Sequence, residues 1–243
     1  MFPSAFEKKY VIEPIYTDCF GKLKLSAALH FAQEAAGEHC TLLSLDGAAL
    51  AQKQMFWAVI RHRVQITRMP RTGEKITVQT WPMPTTRVAY PRSTVAYDEN
   101  GQELFRAISL WVLMDVETRA MILPGKSGIM VQGSLRGTEL PPPRTLAPQG
   151  LKSSALRQVC YTDLDSNRHM NNTRYLDWVS DLLPSHFFEV HTPKDVVICY
   201  ANEAREGQKM EITWGMNSDG ILTVDAHAEG EKPQRIFSVQ IEF

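Results

Sequence analysis

The chain has 243 residues and a mass of 27.5 kDa, with 26 Lys+Arg against 27 Asp+Glu and 44% hydrophobic residues. At about 150 residues per domain this gives one to two domains with a full core and excludes a largely disordered chain. A net charge of −1 excludes a global attraction to nucleic acid or an anionic membrane, and no run reaches the roughly 18 to 20 apolar residues of a membrane span.

The first helix is expected near Ser26 to His39, where Leu25, Leu29, Ala32 and Ala36 recur at helical spacing beside Ala28 and Ala35. So many small residues suit a helix held close against another element. Strands are expected over 55–67, 74–81, 87–97 and 103–116, with Asp98-Glu99-Asn100-Gly101 as a hairpin turn. Residues 133–152 lose the apolar period and contain Pro141-Pro142-Pro143 and Pro148, which reads as a proline-stiffened linker.

A second unit begins near Ser153. Tyr175, Leu176, Val179, Leu182 and Leu183 mark one face of a helix that Pro184 should end. Three segments then alternate apolar with polar residues: Met210 to Trp214, Leu222 to Ala228 and Phe237 to Phe243. That is the period of half-buried antiparallel strands. The halves also echo each other, Tyr16-Thr17-Asp18 against Tyr161-Thr162-Asp163 and Arg71-Thr72-Gly73-Glu74-Lys75 against Arg205-Glu206-Gly207-Gln208-Lys209. Matching order points to a duplication: one helix plus an antiparallel sheet, twice, in an α+β layout.

The halves differ just before the second helix, where Asp165, Asn167 and His169 stand at alternate positions. An extended segment would point all three to one side, beside the free N–H groups of a helix start. The same residues equally suit helix capping by Asp and Asn with a satisfied core histidine. Counting from the Tyr-Thr-Asp echo, the first half has Phe20, Lys22 and Lys24 in their places.

The run DLDSNRHMNNTRYLDWV, together with Arg71-Thr72-Gly73-Glu74, Trp81, Arg92, the segment Trp111 to Asp115 and Thr118-Arg119, closely resembles the acyl-acyl carrier protein thioesterases. The resemblance covers most of the chain. It implies two tandem hot-dog units, each a long helix wrapped by an antiparallel sheet: 1–132 to bind the acyl chain, 133–152 as linker and 153–243 to carry catalysis. Asp165, Asn167 and His169 match the family's D-x-N-x-H motif, and Glu203 matches its glutamate in Tyr200-Ala201-Asn202-Glu203-Ala204. Ala204 stands where plant members carry cysteine, so a Cys-His-Asn scheme has no nucleophile there. Cys199 lies five residues upstream, on the other face of that strand from Ala204, so it is a poor substitute.

The implied reaction is hydrolysis of fatty acyl-carrier-protein thioesters, with no cofactor. Glu203 would act as base or nucleophile, His169 would orient water or exchange its proton, and Asn167 would position substrate or water. Asp165 would orient His169 or Asn167, and N–H groups around Asn171 and Asn172 would receive the oxyanion. An acyl-CoA thioesterase, a dehydratase and a non-catalytic acyl-binding module share the scaffold.

Arg61, Arg63, Arg68 and Arg71 form either a landing place for an acidic carrier protein or a solvated charged face. No metal is expected, because the other histidines never reach ligand spacing. Cys19, Cys40, Cys160 and Cys199 lack any C-x-x-C spacing, so four reduced and mostly packed thiols are expected. The segment Met1 to Lys9 has no apolar core of a signal peptide, which makes cytoplasm the default. Monomer and homodimer both remain open.

Overall fold

A computed structural model describes residues 4–243. It divides into two compact units: one runs through Pro143 apart from Lys24–Ser26, and the other comprises Lys24–Ser26 with Arg144–Phe243.

In the first unit, β1 (Phe6–Val11), β2 (Met55–Ile66), β3 (Lys75–Pro82), β4 (Tyr90–Tyr97) and β5 (Glu103–Asp115) pair antiparallel in the order β1-β3-β4-β5-β2, with the short β6 (Met121–Ile122) on β5. Four of these strands lie where alternation places them. Strand β1 and the two-residue β6 were not expected; the Phe-Glu-Lys-Lys-Tyr-Val of β1 has no clean hydrophobic alternation, as suits a strand that among the described residues pairs with β3 alone. Charged side chains keep such an edge from recruiting another chain.

Helix α1 (Leu25–Leu42) buries Ala28, Leu29, Ala32, Ala35 and Ala36 on one stripe. It packs on the sheet through Phe31 against Tyr10 at 4.6 Å and His39 against Phe6 at 6.1 Å between ring centroids. The small residues let helix and sheet approach closely. After it, α2 (Gly47–Ala51) is capped by Asp46, whose carboxylate accepts from the Ala49 N–H.

The expected linker is not free. Following α3 (Pro124–Ser127), the chain to Pro143 belongs to the first unit. Leu140 is buried among Met83, Ala89, Ile108 and Leu110, and Ser134 N–H donates to Pro82 O. Glu139 accepts from Trp81 Nε1 at 3.1 Å, and the Arg136 guanidinium lies 4.6 Å over the Trp81 ring. Proline removes the helical and strand options here, yet Leu140 and Trp81 still anchor the segment as a strap.

The second unit carries β7 (Ser153–Gln158), β8 (Asp195–Tyr200), β9 (Lys209–Met216), β10 (Ile221–Ala228) and β11 (Arg235–Glu242), paired antiparallel in the order β8-β11-β10-β9-β7. Its helix α4 (Arg174–Ser180) has 7 residues and buries Tyr175, Leu176, Trp178 and Val179. It is therefore not the long helix expected. Leu182 and Leu183 lie beyond it, and Pro184 instead precedes a separate helix, α5 (Ser185–Val190). A proline disfavours helical geometry in the residue before it, so the chain leaves α4 ahead of Leu183.

Strand β8 ends at Tyr200, earlier than the reading that carried it through Ala204. The N–H groups of Ala201 and Asn202 both donate to Ile236 O, which breaks the ladder as a bulge does. The argument that Cys199 and Ala204 face opposite sides of one strand therefore lapses, since Ala204 is not in the strand.

Candidate active site

The Asp165–His169 segment is a closed turn rather than an extended strand. Leu164 and Met170 pair across it, Asp165 N–H donates to His169 O at 2.8 Å and Arg168 N–H to Asp165 O at 3.0 Å. The Asp165 carboxylate accepts from the N–H groups of Asn167 at 2.8 Å and His169 at 3.3 Å. This is the local side-chain-to-backbone closure for which Asp is suited. The expectation of an extended segment fails, and with it the reason for placing alternate residues on one side.

The first unit contains the same turn. Thr17 pairs with Leu23, Asp18 N–H donates to Lys22 O at 2.8 Å, and Gly21 N–H to Asp18 O at 3.0 Å. The Asp18 carboxylate accepts from Phe20 and Lys22 N–H, both at 2.9 Å. Asp18 is thus the counterpart of Asp165, Phe20 of Asn167 and Lys22 of His169. The Tyr-Thr-Asp echo read from the sequence is out of step by two positions. The Arg-x-Gly echo holds: Gly73 and Gly207 have φ of 85° and 80°, and their N–H groups donate to Ile12 O and Val159 O. Since Asp occupies this position in both units, its first task is closing the turn.

Glu203 is brought to this turn by the break after β8. Its Oε2 lies 3.3 Å from His169 Nε2, with the imidazole side chain 15% exposed and the carboxylate 40% exposed. The pairing is held from behind by Met170 N–H donating to Ala204 O at 2.8 Å and by the bridge between His169 and Arg205. Ala204 is fully buried and offers no nucleophile. A half-exposed carboxylate against a less exposed imidazole makes a base that water can reach.

Three residues to which the sequence reading gave no part in the site hold it. Tyr175 accepts a hydrogen bond from Ala204 N–H, and burial pushes its phenol well above the usual tyrosine range, so the hydroxyl stays protonated. Tyr200 OH donates to Asn172 O at 2.8 Å. Asp163, 4% exposed, accepts from Cys160 N–H at 3.0 Å and Trp178 Nε1 at 3.3 Å, tying the turn to α4. The one available sequence signal was a carboxylate beside so many aromatics, since a buried acid requires donors.

The remaining expected residues are placed as follows. Asn167 is exposed on the turn and its side chain has no hydrogen-bond partner among the described residues. Asn171 N–H donates to Asp163 O at 2.8 Å, which removes it as an oxyanion donor, and the Asn171 side chain accepts from Thr173 N–H and Oγ1. Asn172 contributes its carbonyl to Tyr200.

Among the arginines, Arg68 is bound through both nitrogens by Glu74 at 2.8 and 2.9 Å, and Arg61 donates to Pro143 O and Arg71 to Phe20 O. The four are not one unopposed cationic patch. Cys19 and Cys160 are exposed and Cys199 buried, so fewer thiols are packed than expected. Among the described residues no cluster of three metal-binding side chains exists and no helix is long and apolar enough to cross a membrane.

The first unit has a half-open cavity of about 170 Å³ between α1 and the sheet. Ala36, Gly37 and Cys40 of α1, Trp57, Tyr90, Arg92 and Trp111 of the sheet and Val131 of the strap line it, together with Gln33 and the loop before α2. Ala32 is buried but not in its wall.

The acyl-ACP thioesterase N-terminal domain profile matches residues 3–123 and the C-terminal domain profile residues 149–243. The chain belongs to the acyl-ACP thioesterase family. A palmitoyl-acyl carrier protein thioesterase of Gossypium hirsutum is 27% identical over 197 residues, 74% of this chain and 47% of that protein. A dodecanoyl-[acyl-carrier-protein] hydrolase of Cinnamomum camphora is 26% identical, over 73% of this chain and 50% of its own length. The chain spans about half the length of such plant relatives.

The solved acyl-ACP thioesterase of Bacteroides thetaiotaomicron superposes with a TM-score of 0.87 at 22% identity, covering 99% of this chain and 98% of that one. The 12:0-ACP thioesterase of Umbellularia californica gives 0.83 at 20%, covering 100% and 98%. These likenesses establish the tandem hot-dog fold for this family member.

Proposed function

We propose that this protein hydrolyses fatty acyl-acyl carrier protein thioesters to free fatty acid and carrier protein, with chemistry at the Glu203–His169 pair. The observation that carries the reading is this 3.3 Å pair, set on a turn whose counterpart in the first unit has Lys22 in place of the histidine. Family membership and the printed activities of the plant relatives support the substrate class.

A thioester needs little activation, because sulfur donates weakly to the carbonyl and thiolate leaves readily. Glu203 takes a proton from water as the oxygen attacks the carbonyl carbon. The tetrahedral intermediate then expels the thiolate, and the proton passes through His169 to sulfur. Asn167, with its amide uncommitted, positions the substrate carbonyl or the water, while Asp165 acts through the turn.

The first-unit cavity is assigned to the acyl chain. Of Arg61, Arg63, Arg68 and Arg71, Arg68 is the weakest candidate for meeting an acidic carrier, since Glu74 already neutralises it. We place the reaction in the cytoplasm.

The test measures hydrolysis of one acyl group on carrier protein and on coenzyme A by the wild type and Glu203→Gln. Carrier-protein turnover that falls at least about a hundredfold in Glu203→Gln supports the assignment, because glutamine keeps size but not basicity. Undiminished turnover removes Glu203 from the chemistry, and a preference for coenzyme A replaces the substrate class.

A further inference from the structure

Arg92 stands in the wall of the first-unit cavity, 7% exposed, with only neutral partners. Its Nη1 donates to His39 Nδ1 at 3.2 Å and Thr80 Oγ1 at 3.4 Å, while Nη2 has only the Cys40 sulfur at 3.8 Å. No acidic side chain among the described residues forms an ion pair with it. Asp46, also in the wall, instead caps α2 through Ala49 N–H.

A guanidinium cannot shed its proton to escape burial, so an opposite charge is what its surroundings lack. Sulfur is a weak acceptor, and Cys40 itself lines the cavity. Arg92 and Cys40 both line the cavity, so the residue that carries this under-used donor borders it. Around it Ala36, Leu43, Leu45, Trp57 and Val131 offer mainly hydrocarbon.

We propose that this cavity binds a medium-chain fatty acid carboxylate-first, with the carboxylate on Arg92 and the tail along the apolar wall. A neutral oxygen would supply an acceptor but leave the charge uncompensated, which favours an anionic head over an alcohol or ketone. Bound this way, the free acid occupies space that an acyl chain would enter by its methyl end, so it inhibits hydrolysis competitively. Binding itself requires no turnover and stands apart from the hydrolysis assignment.

The experiment is isothermal titration of the full chain with decanoate and with 1-decanol, both below the concentration at which they aggregate. Decanoate should bind about tenfold or more tighter than the alcohol. Arg92→Gln should erase that difference, and Ala36→Leu, which narrows the cavity, should weaken both. Equal affinity for the two probes, a preference that persists in Arg92→Gln, or binding unaffected by Ala36→Leu overturns the proposal. If Arg92→Gln does not unfold cooperatively, the wild-type comparison and Ala36→Leu decide between the same outcomes. Because no substrate is consumed, failure here leaves the hydrolysis assignment to its own test.

Discussion

Lys22 and His169 occupy the same position of the same turn in the two units, each followed by an apolar residue that pairs back across the turn and each bridged to an arginine, Arg71 or Arg205. One backbone device thus serves twice, and chemistry depends on what it presents. The imidazole meets Glu203 at 3.3 Å in the second unit. An ammonium in that place offers only donors, whereas an imidazole can donate at one nitrogen and accept at the other.

His169→Ala should lower turnover by a factor of about 100 to 10,000 while the melting temperature barely moves, as expected for general acid–base catalysis. Lys22→Ala should leave turnover within about twofold, because Lys22 sits on the first-unit turn and not on the turn that presents the His169–Glu203 pair. Thermal unfolding and steady-state kinetics of the two variants together decide it. Loss of cooperative folding in His169→Ala would assign that histidine to packing.

Asp165 closes a turn, so its oxygen matters more than its charge. Asp165→Asn, which keeps the acceptor for the Asn167 and His169 N–H groups, should retain most stability and a substantial part of turnover. Asp165→Ala should cost about 0.5 to 2 kcal/mol in urea unfolding, as lost side-chain-to-backbone caps do. Asp18→Ala should cost a similar amount without altering chemistry. Near-complete inactivity of Asp165→Asn would instead give the carboxylate charge a direct part.

Chain-length preference should respond to Ala36 rather than Ala32. Ala36 lines the first-unit cavity, so Ala36→Leu should shift the product profile towards shorter acids. Ala32→Leu, buried outside that wall, should mainly destabilise by about 1 to 3 kcal/mol through overpacking. Fatty-acid products and melting temperatures read both effects. The same profile in wild type and a folded Ala36→Leu would remove the cavity from chain selection.

Gly133 is packed against backbone. A Cβ there would lie 2.1 Å from the Met83 carbonyl, so Gly133→Ala must displace the strap that carries Leu140. A loss of about 1 to 3 kcal/mol or more is expected in denaturant unfolding. Gly125→Ala, whose Cβ meets nothing within 4 Å, is the control.

His62 gives the stability a pH dependence of known sign. It is fully buried with Nδ1 at 2.7 Å from Ser109 Oγ, and burial pushes it from 6.5 down to about 3. Between those values the unfolded chain holds a proton that the folded chain refuses. Its contribution is complete above pH 6.5 and falls by about 1.4 kcal/mol per pH unit towards about 3. His62→Gln should be less stable at neutral pH but show a flatter decline on acidification. Identical slopes in denaturant titrations at several pH values would contradict this.

The strands over 55–66, 75–82, 103–115 and 221–228, and the α1 stripe of Leu29, Ala32 and Ala36, were legible in the sequence because alternation and helical spacing record which face is buried. The D-x-N-x-H motif and Glu203 were legible through family resemblance. Tertiary structure decided what local pattern does not encode. Asp165 folds its segment into a turn because its oxygen can satisfy two nearby N–H groups, which outweighs extended alternation. The repeat register moved by two because hydrogen-bond closure at Asp18 and Asp165, rather than shared residue names, defines equivalent positions. Strand β8 stops short because two N–H groups share Ile236 O, a partner distant in the chain. The strap, the Tyr175–Ala204 contact and the buried Arg92 likewise depend on packing between segments far apart in sequence, where periodicity carries no information.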